Sequence, residues 1–295
     1  MTAAARGPVQ AQGEVLTNKR VGAYQHLTVV APGVAERFRP GTLVALAVGG
    51  DLSDRLLRRA FPIYRARATG TYKSTVEVVF EVTEPGHAWL GGLGAGASVD
   101  VLGPLGRPYA LPKEPVPCAL VGHGHAAAPL FSLAERLRER GCPVHMVLGA
   151  AGEKELFGAL DAKRAARTVV VSTVDGSVGM HGTVAQALPE VLDRTGSDVV
   201  YAAGLSGTLH QVAAVAERYG AWSQTALDAS QLCATGACHT CVVPVVGEDG
   251  LSRMVRACVE GPVFRGDRVR WSDLGTVPAD AWGAPATETV AAETR

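Results

Sequence analysis

Apolar and polar positions alternate with the short period of β structure through the first third of the chain. The β-branched runs Glu14–Arg20, Gln25–Ala31, Leu43–Val48, Thr75–Val82 and Ser98–Leu102 are separated by clusters of Gly, Pro and Asp. Regular short strands punctuated by turn residues predict a small β barrel. One short helix is expected near His87–Gly91. From Val116 the period changes. Cys118–Val121 reads as an apolar strand, Ala127–Arg140 as a helix with its charges on one side, and Val144–Leu148 as a strand. Glu153–Leu160, Thr168–Ser172, Thr183–Leu192, Val199–Ala202, Thr208–Tyr219 and Ala221–Thr225 continue the alternation. Strand and helix taking turns predict a doubly wound parallel sheet, with its ligand crevice at the C-terminal ends of the strands. A third unit follows at 226–272, and 273–295 turns to Pro, Ala, Thr and Glu, the composition of a disordered tail. The expected organisation is therefore multidomain, with a β barrel over 10–112, an α/β domain over 113–225, a small unit over 226–272 and a tail. No internal repeat is evident.

Composition narrows the function classes. The chain has 295 residues, enough for two or three small domains with real cores. Lys plus Arg equals Asp plus Glu at 28 each, so there is no basic field to attract nucleic acid. Residues 1–9 lack the apolar stretch of a signal peptide, and the longest apolar runs fall short of a spanning helix. The expectation is a soluble cytoplasmic protein with no nucleic-acid partner and no membrane span.

The chemistry lies in four cysteines. Cys233, Cys238 and Cys241 read C-x4-C-x2-C, and Cys258 follows after a gap of sixteen residues. This is the plant-type ligand spacing for a [2Fe–2S] cluster. Three thiolates must lie on one tight loop, while the fourth can arrive from elsewhere. Gly236 and the flanking alanines let backbone amides approach sulfur, and such hydrogen bonds help to set the potential. A structural zinc is the alternative, although zinc knuckles usually present two CxxC-like pairs and only one CxxC is present. Disulfides would require an oxidising compartment. Cys118, opening a strand, and Cys142, in a Gly-Cys-Pro turn, read as structural.

Barrel, nucleotide-binding sheet and C-terminal cluster, in this order, resemble the electron-transfer subunit of dihydroorotate dehydrogenase, within the ferredoxin-reductase superfamily. The resemblance runs from about Gly13 to Trp271. It is carried by Leu57-Arg-Arg-Ala-Phe-Pro-Ile-Tyr64, Gly103-Pro-Leu-Gly106, the cysteine loop and Cys258-Val-Glu-Gly-Pro-Val-Phe264. It implies a flavin-binding Greek-key β barrel, a nucleotide-binding α/β domain with a doubly wound parallel sheet, and a small plant-type [2Fe–2S] domain. It also implies FAD between barrel and sheet, an FMN-containing flavoprotein dehydrogenase as partner, a heterotetramer, NAD as acceptor and a place in pyrimidine biosynthesis.

Residue by residue, the resemblance assigns Arg59 to the flavin diphosphate and Phe61 to the ribityl chain or ring, with Ile63 completing the segment. The family's hydroxyl residue is replaced by Pro62, which has neither hydroxyl nor N–H. The family's Gly-Lys-Gly-Thr phosphate segment aligns with Glu84-Pro85-Gly86-His87, where Gly86 and His87 remain candidate flavin contacts and Glu84 places a negative charge at an anion site. On the nicotinamide side, a Gly-Gly-Gly-x-Gly loop becomes Gly122-His123-Gly124-His125-Ala126, and a Cys-Gly-Pro turn becomes Ala203-Gly204-Leu205. Gly122, Gly124 and Gly204 are the surviving candidates there. His123 and His125 are usually solvated or hydrogen-bonded at this spacing and only in a minority of cases bind metal. His239 is not needed as a ligand. The cluster motif is intact while the dinucleotide motifs are altered, an expectation of poor or different FAD and NAD use. Two alternatives stay open: a diverged paralogue in another, specialised biosynthetic pathway, and a non-redox scaffold or substrate-binding module with a structural metal.

Overall fold

The computed structural model describes residues 7–50, 53, 55–68, 74–229 and 231–284. Strands β1 (Val9–Val21), β2 (Tyr24–Val30), β3 (Leu43–Leu46), β4 (Arg59–Arg67) and β5 (Thr75–Phe80), helix α1 (Pro85–Gly91) and strand β6 (Ser98–Leu105) form the first unit. The six strands close into a barrel in the order β1-β2-β5-β4-β3-β6. The alternation read from the sequence points Leu27, Val29, Val76, Val78, Val99 and Val101 inward. Gly13 has a steric reason to lack a side chain: a Cβ there would lie 2.8 Å from methyls of both Val29 and Val101. Strand β4 was not expected. Pro62 and the arginines of Arg59–Arg67 break the apolar alternation. The strand forms because β3 and β5 flank it on both sides, with a register shift between Ile63 and Arg65.

The second unit begins with β7 (Cys118–His123), α2 (Ala128–Glu139) and β8 (Val144–Ala150), and continues through α3 (Ala159–Ala165), β9 (Thr168–Thr173) and β10 (Met180–His181). It ends with α4 (Val184–Thr195), β11 (Val199–Gly204), α5 (Ser206–Arg218) and β12 (Trp222–Leu227). The C-terminal unit supplies a hairpin, β13 (Val242–Val246) and β14 (Ser252–Arg256), and then β15 (Val263–Arg265). The large sheet runs β10-β9-β8-β7-β11-β12-β15. Strands β7 to β12 are parallel, and β15 joins β12 antiparallel. The chain leaves β7 toward β8 on one side and returns to β11 on the other, so the switch point falls between His123 and Gly204. The α2 and α3 residues share one core with Tyr24 and Tyr64 of the barrel, while those of α4 and α5 share another with the C-terminal unit.

Two expectations need correction. Glu153–Leu160 is not a helix: 153–155 form a 3-10 turn, Gly158 takes φ +71, and α3 begins after it. Phe157 is diverted from a helix face to pack edge-on against Tyr24, Tyr64 and Phe131. The tail expected from 273 is placed through 284, because Arg270 gathers it: this side chain donates to Ser252, Asp273 and Asp280, and Trp282 N donates to Ser252 O at 2.7 Å. The rest of that expected tail, 285–295, lies outside the described residues. Among the described residues no helix is long and apolar enough to cross a membrane.

Barrel and sheet are tied by specific bonds. Tyr109 Oη donates to Ala202 O at 2.8 Å, Tyr201 Oη to Ala110 O at 2.9 Å, and Gln224 Nε2 to Ala110 O at 2.7 Å. Tyr64 Oη donates to Asp161 Oδ2 at 2.8 Å and Tyr24 Oη to Glu155 O at 2.6 Å. Burial raises both tyrosines, Tyr24 to about 12, so they act here as neutral donors.

Candidate functional site

The tied units leave a cleft of about 390 Å³ between the barrel wall and the C-terminal ends of β7, β11 and β12. Phe61, Phe80, Val79, Leu43, Pro129 and Leu227 give it a largely apolar, partly aromatic lining. A slot of this kind suits a flat ring system. Its polar groups are Arg59, Glu81, Thr83, Glu84 and His87 from the barrel side, with His125, Asp228 and Gln231 opposite.

Arg59, at the start of β4, lies along the cleft with its fork closed on Glu84. Nε donates to Oε1 at 2.9 Å and Nη2 to Oε2 at 3.0 Å. Glu84 is the N-cap of α1 and accepts from Gly86 N at 2.9 Å and His87 N at 2.8 Å. Pro85 at the first helical position costs nothing, since its missing N–H is one that a helix start leaves unpaired. The Arg59 hydrogen bonds hold Glu84 at about 2, with the amides assisting against partial burial. A Cβ at Gly86 would meet Glu84 Oε1 at 2.6 Å and Arg59 Nε at 3.1 Å, which explains the glycine. The His87 ring lies 5.5 Å from Phe61 and 5.7 Å from Phe80, and burial holds its imidazole below the ordinary value while Glu84 opposes.

The other sequence candidates separate. Phe61, Pro62 and Gly204 line the cleft. Ile63 does not: it is fully buried in the barrel core. Gly86 underlies the ion pair. Gly122 sits where a Cβ would meet Ala127 at 2.4 Å, and Gly124 takes φ +54 beside Tyr24 Oη, so both shape the turn rather than the cleft wall. His125 lines the cleft and packs 5.0 Å from Tyr24; burial lowers both it and His123. Reading the sequence missed Phe80, Asp228, Gln231 and Leu232, whose place in the wall depends on how the units meet. Glu84 carried a legible signal: an acidic residue followed by Pro-Gly before an apolar run is a helix start.

The four cysteines lie together in the C-terminal unit. Cys233, Cys241 and Cys258 are buried and Cys238 is half-buried. Their thiols pair two and two, Cys233 with Cys238 and Cys241 with Cys258, and Cys233 is near enough to Cys258 to raise it. Among the described residues no three His, Cys, Asp or Glu side chains are gathered as one metal ion requires. The loop prepares an anion site. Ala234, Gly236 and His239 all take left-handed φ, +58, +81 and +57, so the loop folds tightly around the Cys233 sulfur. Thr235 N and Cys238 N each donate to Cys233 Sγ at 3.4 Å. Burial pushes the Cys233 thiol up, but Cys238 and Thr235 outweigh it and hold it at about 6. Burial and Cys241 raise Cys258 to about 12. His239 is exposed at the rim. Cys118 and Cys142 are buried, and burial raises Cys118 to about 12, as befits structural thiols.

Comparison with known proteins matches this arrangement. Residues 232–270 match the iron-sulfur cluster binding domain of dihydroorotate dehydrogenase B. The dihydroorotate dehydrogenase B (NAD(+)) electron transfer subunit of Desulforamulus reducens is 30% identical, over 82% of this chain and 90% of its own. That of Listeria innocua is 32% identical, over 82% and 95%. Among solved structures, a chain of the NADH-dependent reduced ferredoxin-NADP oxidoreductase studied for flavin-based electron bifurcation superposes with a TM-score of 0.77 at 26% identity, covering 90% of this chain and 91% of that one. With the cysteine loop, the barrel and the sheet all aligned, the chain belongs to the family of dihydroorotate dehydrogenase B electron transfer subunits.

Proposed function

We propose that the chain passes electrons between a partner flavoprotein dehydrogenase and NAD or another acceptor, as a cytoplasmic subunit in pyrimidine biosynthesis. Cys233, Cys238, Cys241 and Cys258 would hold a [2Fe–2S] cluster. The cleft would take the ring system of FAD against Phe61, Pro62 and His87, with Gly204 on the nicotinamide side. When bound, the cluster supplies one-electron transfer and the flavin exchanges one or two electrons. One observation carries the reading: Gln231 and Leu232 form part of the cleft wall, and Cys233 is the next residue. A residue adds at most about 3.6 Å of reach, so the first thiolate is tethered at the edge of the flavin slot.

The residues of this chain do the positioning. Thr235 and Cys238 amides hold the Cys233 sulfur in its anionic form, burial keeps water from Cys241 and Cys258, and the tyrosine bonds keep barrel and sheet in register across the cleft. A groove of about 1000 Å³ runs from Arg37 and Arg39 to Thr235 and Cys258, and offers the dehydrogenase subunit a route to the cluster. The names of the relatives support that partner, with two copies of each subunit as the proposed assembly.

The ring slot fits a flavin. The anionic end of FAD fits less well, because the Arg59 fork already holds a carboxylate. A metal and flavin inventory of protein purified without oxygen tests the proposal. About two irons, two sulfides and a flavin per chain, with visible absorbance that bleaches on dithionite, are expected. Zinc in place of iron would overturn the electron-transfer reading and favour the scaffold.

A further inference from the structure

Arg59 is the one Lys or Arg side chain among the described residues that line the cleft, whereas Glu81, Glu84 and Asp228 all line it. The cleft therefore carries more acid than base, and Arg59 is the permanent cation it offers an entering anionic group, beside the neutral donors Thr83, His87, His125 and Gln231. The guanidinium fork is the geometry that grips carboxylate or phosphate through two parallel bonds. Both of those bonds are already made, at 2.9 and 3.0 Å, to Glu84. Two main-chain N–H groups hold the same carboxylate in place. A neutral, apolar ring meets no such obstacle at Phe61 and Phe80.

We propose that Glu84 is an internal competitor for Arg59 that sets flavin selectivity: it weakens the hold on the charged diphosphate of FAD while leaving the isoalloxazine slot open. The inference rests on the flavin reading of the cleft given above. To seat a diphosphate on Arg59, the bidentate pair must open. The freed carboxylate then stands as a like charge beside the phosphates, together with Glu81 and Asp228. An uncharged flavin such as riboflavin leaves the pair closed. Glu84 is thus a specificity residue for the flavin's charged end, acting through Arg59.

The test is a titration of full-length, cluster-loaded, flavin-stripped protein with FAD and with riboflavin, followed by flavin fluorescence. Wild type is compared with Glu84→Gln and Glu84→Ser. Glutamine keeps the length and removes the charge. Serine keeps a good helix cap but cannot reach Arg59, so it separates capping from pairing. Both variants should bind FAD about tenfold more tightly or better, with a gain that shrinks as salt is raised, and should bind riboflavin as wild type does. Unchanged FAD affinity in both variants overturns the proposal while the flavin reading stands. So does an equal gain for riboflavin, which would mark a widened cleft rather than a freed cation. Failure of wild type and both variants to bind either flavin overturns the flavin reading itself, and the competition with it.

Discussion

The cysteine loop and the rim of the cleft use one device in opposite ways. In each, a short turn aims two backbone N–H groups at a side-chain anion: Thr235 and Cys238 at the Cys233 sulfur, Gly86 and His87 at the Glu84 carboxylate. In the loop the held anion is a proposed metal ligand, so on that reading the amides prepare a site for a cofactor. At the rim the held anion is already neutralised by Arg59, so the amides help to fill a site. The lesson is that a donor-rich turn does not by itself mean cofactor binding. What matters is whether the charge it stabilises is left for the ligand or spent within the chain.

The contrast can be broken most severely on the loop side. Cys258→Ser removes one of the four proposed cluster ligands, and the purified protein is expected to lose essentially all iron and visible absorbance. A variant that kept its full iron content would remove Cys258 from the ligand set. A smaller effect sharpens the role of the turn. Gly236→Ala forces a side chain onto φ +81 and places its Cβ 2.8 Å from Val259. Denaturant unfolding of the loaded protein should show a loss of about 1–3 kcal/mol. Gly250→Ala, at φ +79 with open space around it, isolates the backbone cost and should lose only about 1 kcal/mol. Equal losses at the two positions would mean that the cysteine turn tolerates the added contact.

The smallest effect lies at the rim. Glu84 is held at about 2 in the folded chain, below its ordinary 4.5. A depressed carboxylate contributes stability that is present above the ordinary value and is lost as pH falls through the folded one. Arg59→Ala removes the main cause of that depression. The stability gap between wild type and Arg59→Ala should therefore be full near pH 5 and close as the pH falls toward 2, as read by thermal melting across that range. A gap independent of pH would show that Arg59 stabilises by packing rather than by holding the Glu84 charge.

Much of this was legible before the fold. The cysteine loop was readable because its information is local: three candidate ligands and the glycine that lets the chain turn all fall within nine residues, Cys233 to Cys241. Strand and helix alternation was readable wherever one face of an element was buried. Strand β4 was not, because its residues are held in place by β3 and β5 rather than by their own pattern. Phe157 defeated the helix expected over 153–160, since its partners Tyr24, Tyr64 and Phe131 come from both the barrel and the sheet. The composition of 273–295 pointed to a disordered tail; over 273–284 the chain makes contacts that composition does not show, from Arg270 to Asp273 and Asp280 and from Trp282 N to Ser252 O. Glu84 reads from the sequence either as a negative charge at an anion site or as part of a Glu-Pro-Gly turn leading into a helix; it is the cap of α1, as the second reading has it, and the partner of Arg59, which the sequence did not show.

The order of barrel, parallel sheet and cysteine loop, and the candidate ligand set, could be read along the chain, because spacing and period are properties of neighbouring residues. Only the tertiary structure decided the cleft. Barrel closure brings Arg59 to Glu84, the tyrosine bonds set the barrel against the sheet, and the end of β12 delivers Asp228, Gln231 and Leu232 to the wall just before Cys233. Those meetings join residues far apart in the chain, and their energies exist only once the sheets that carry them have formed.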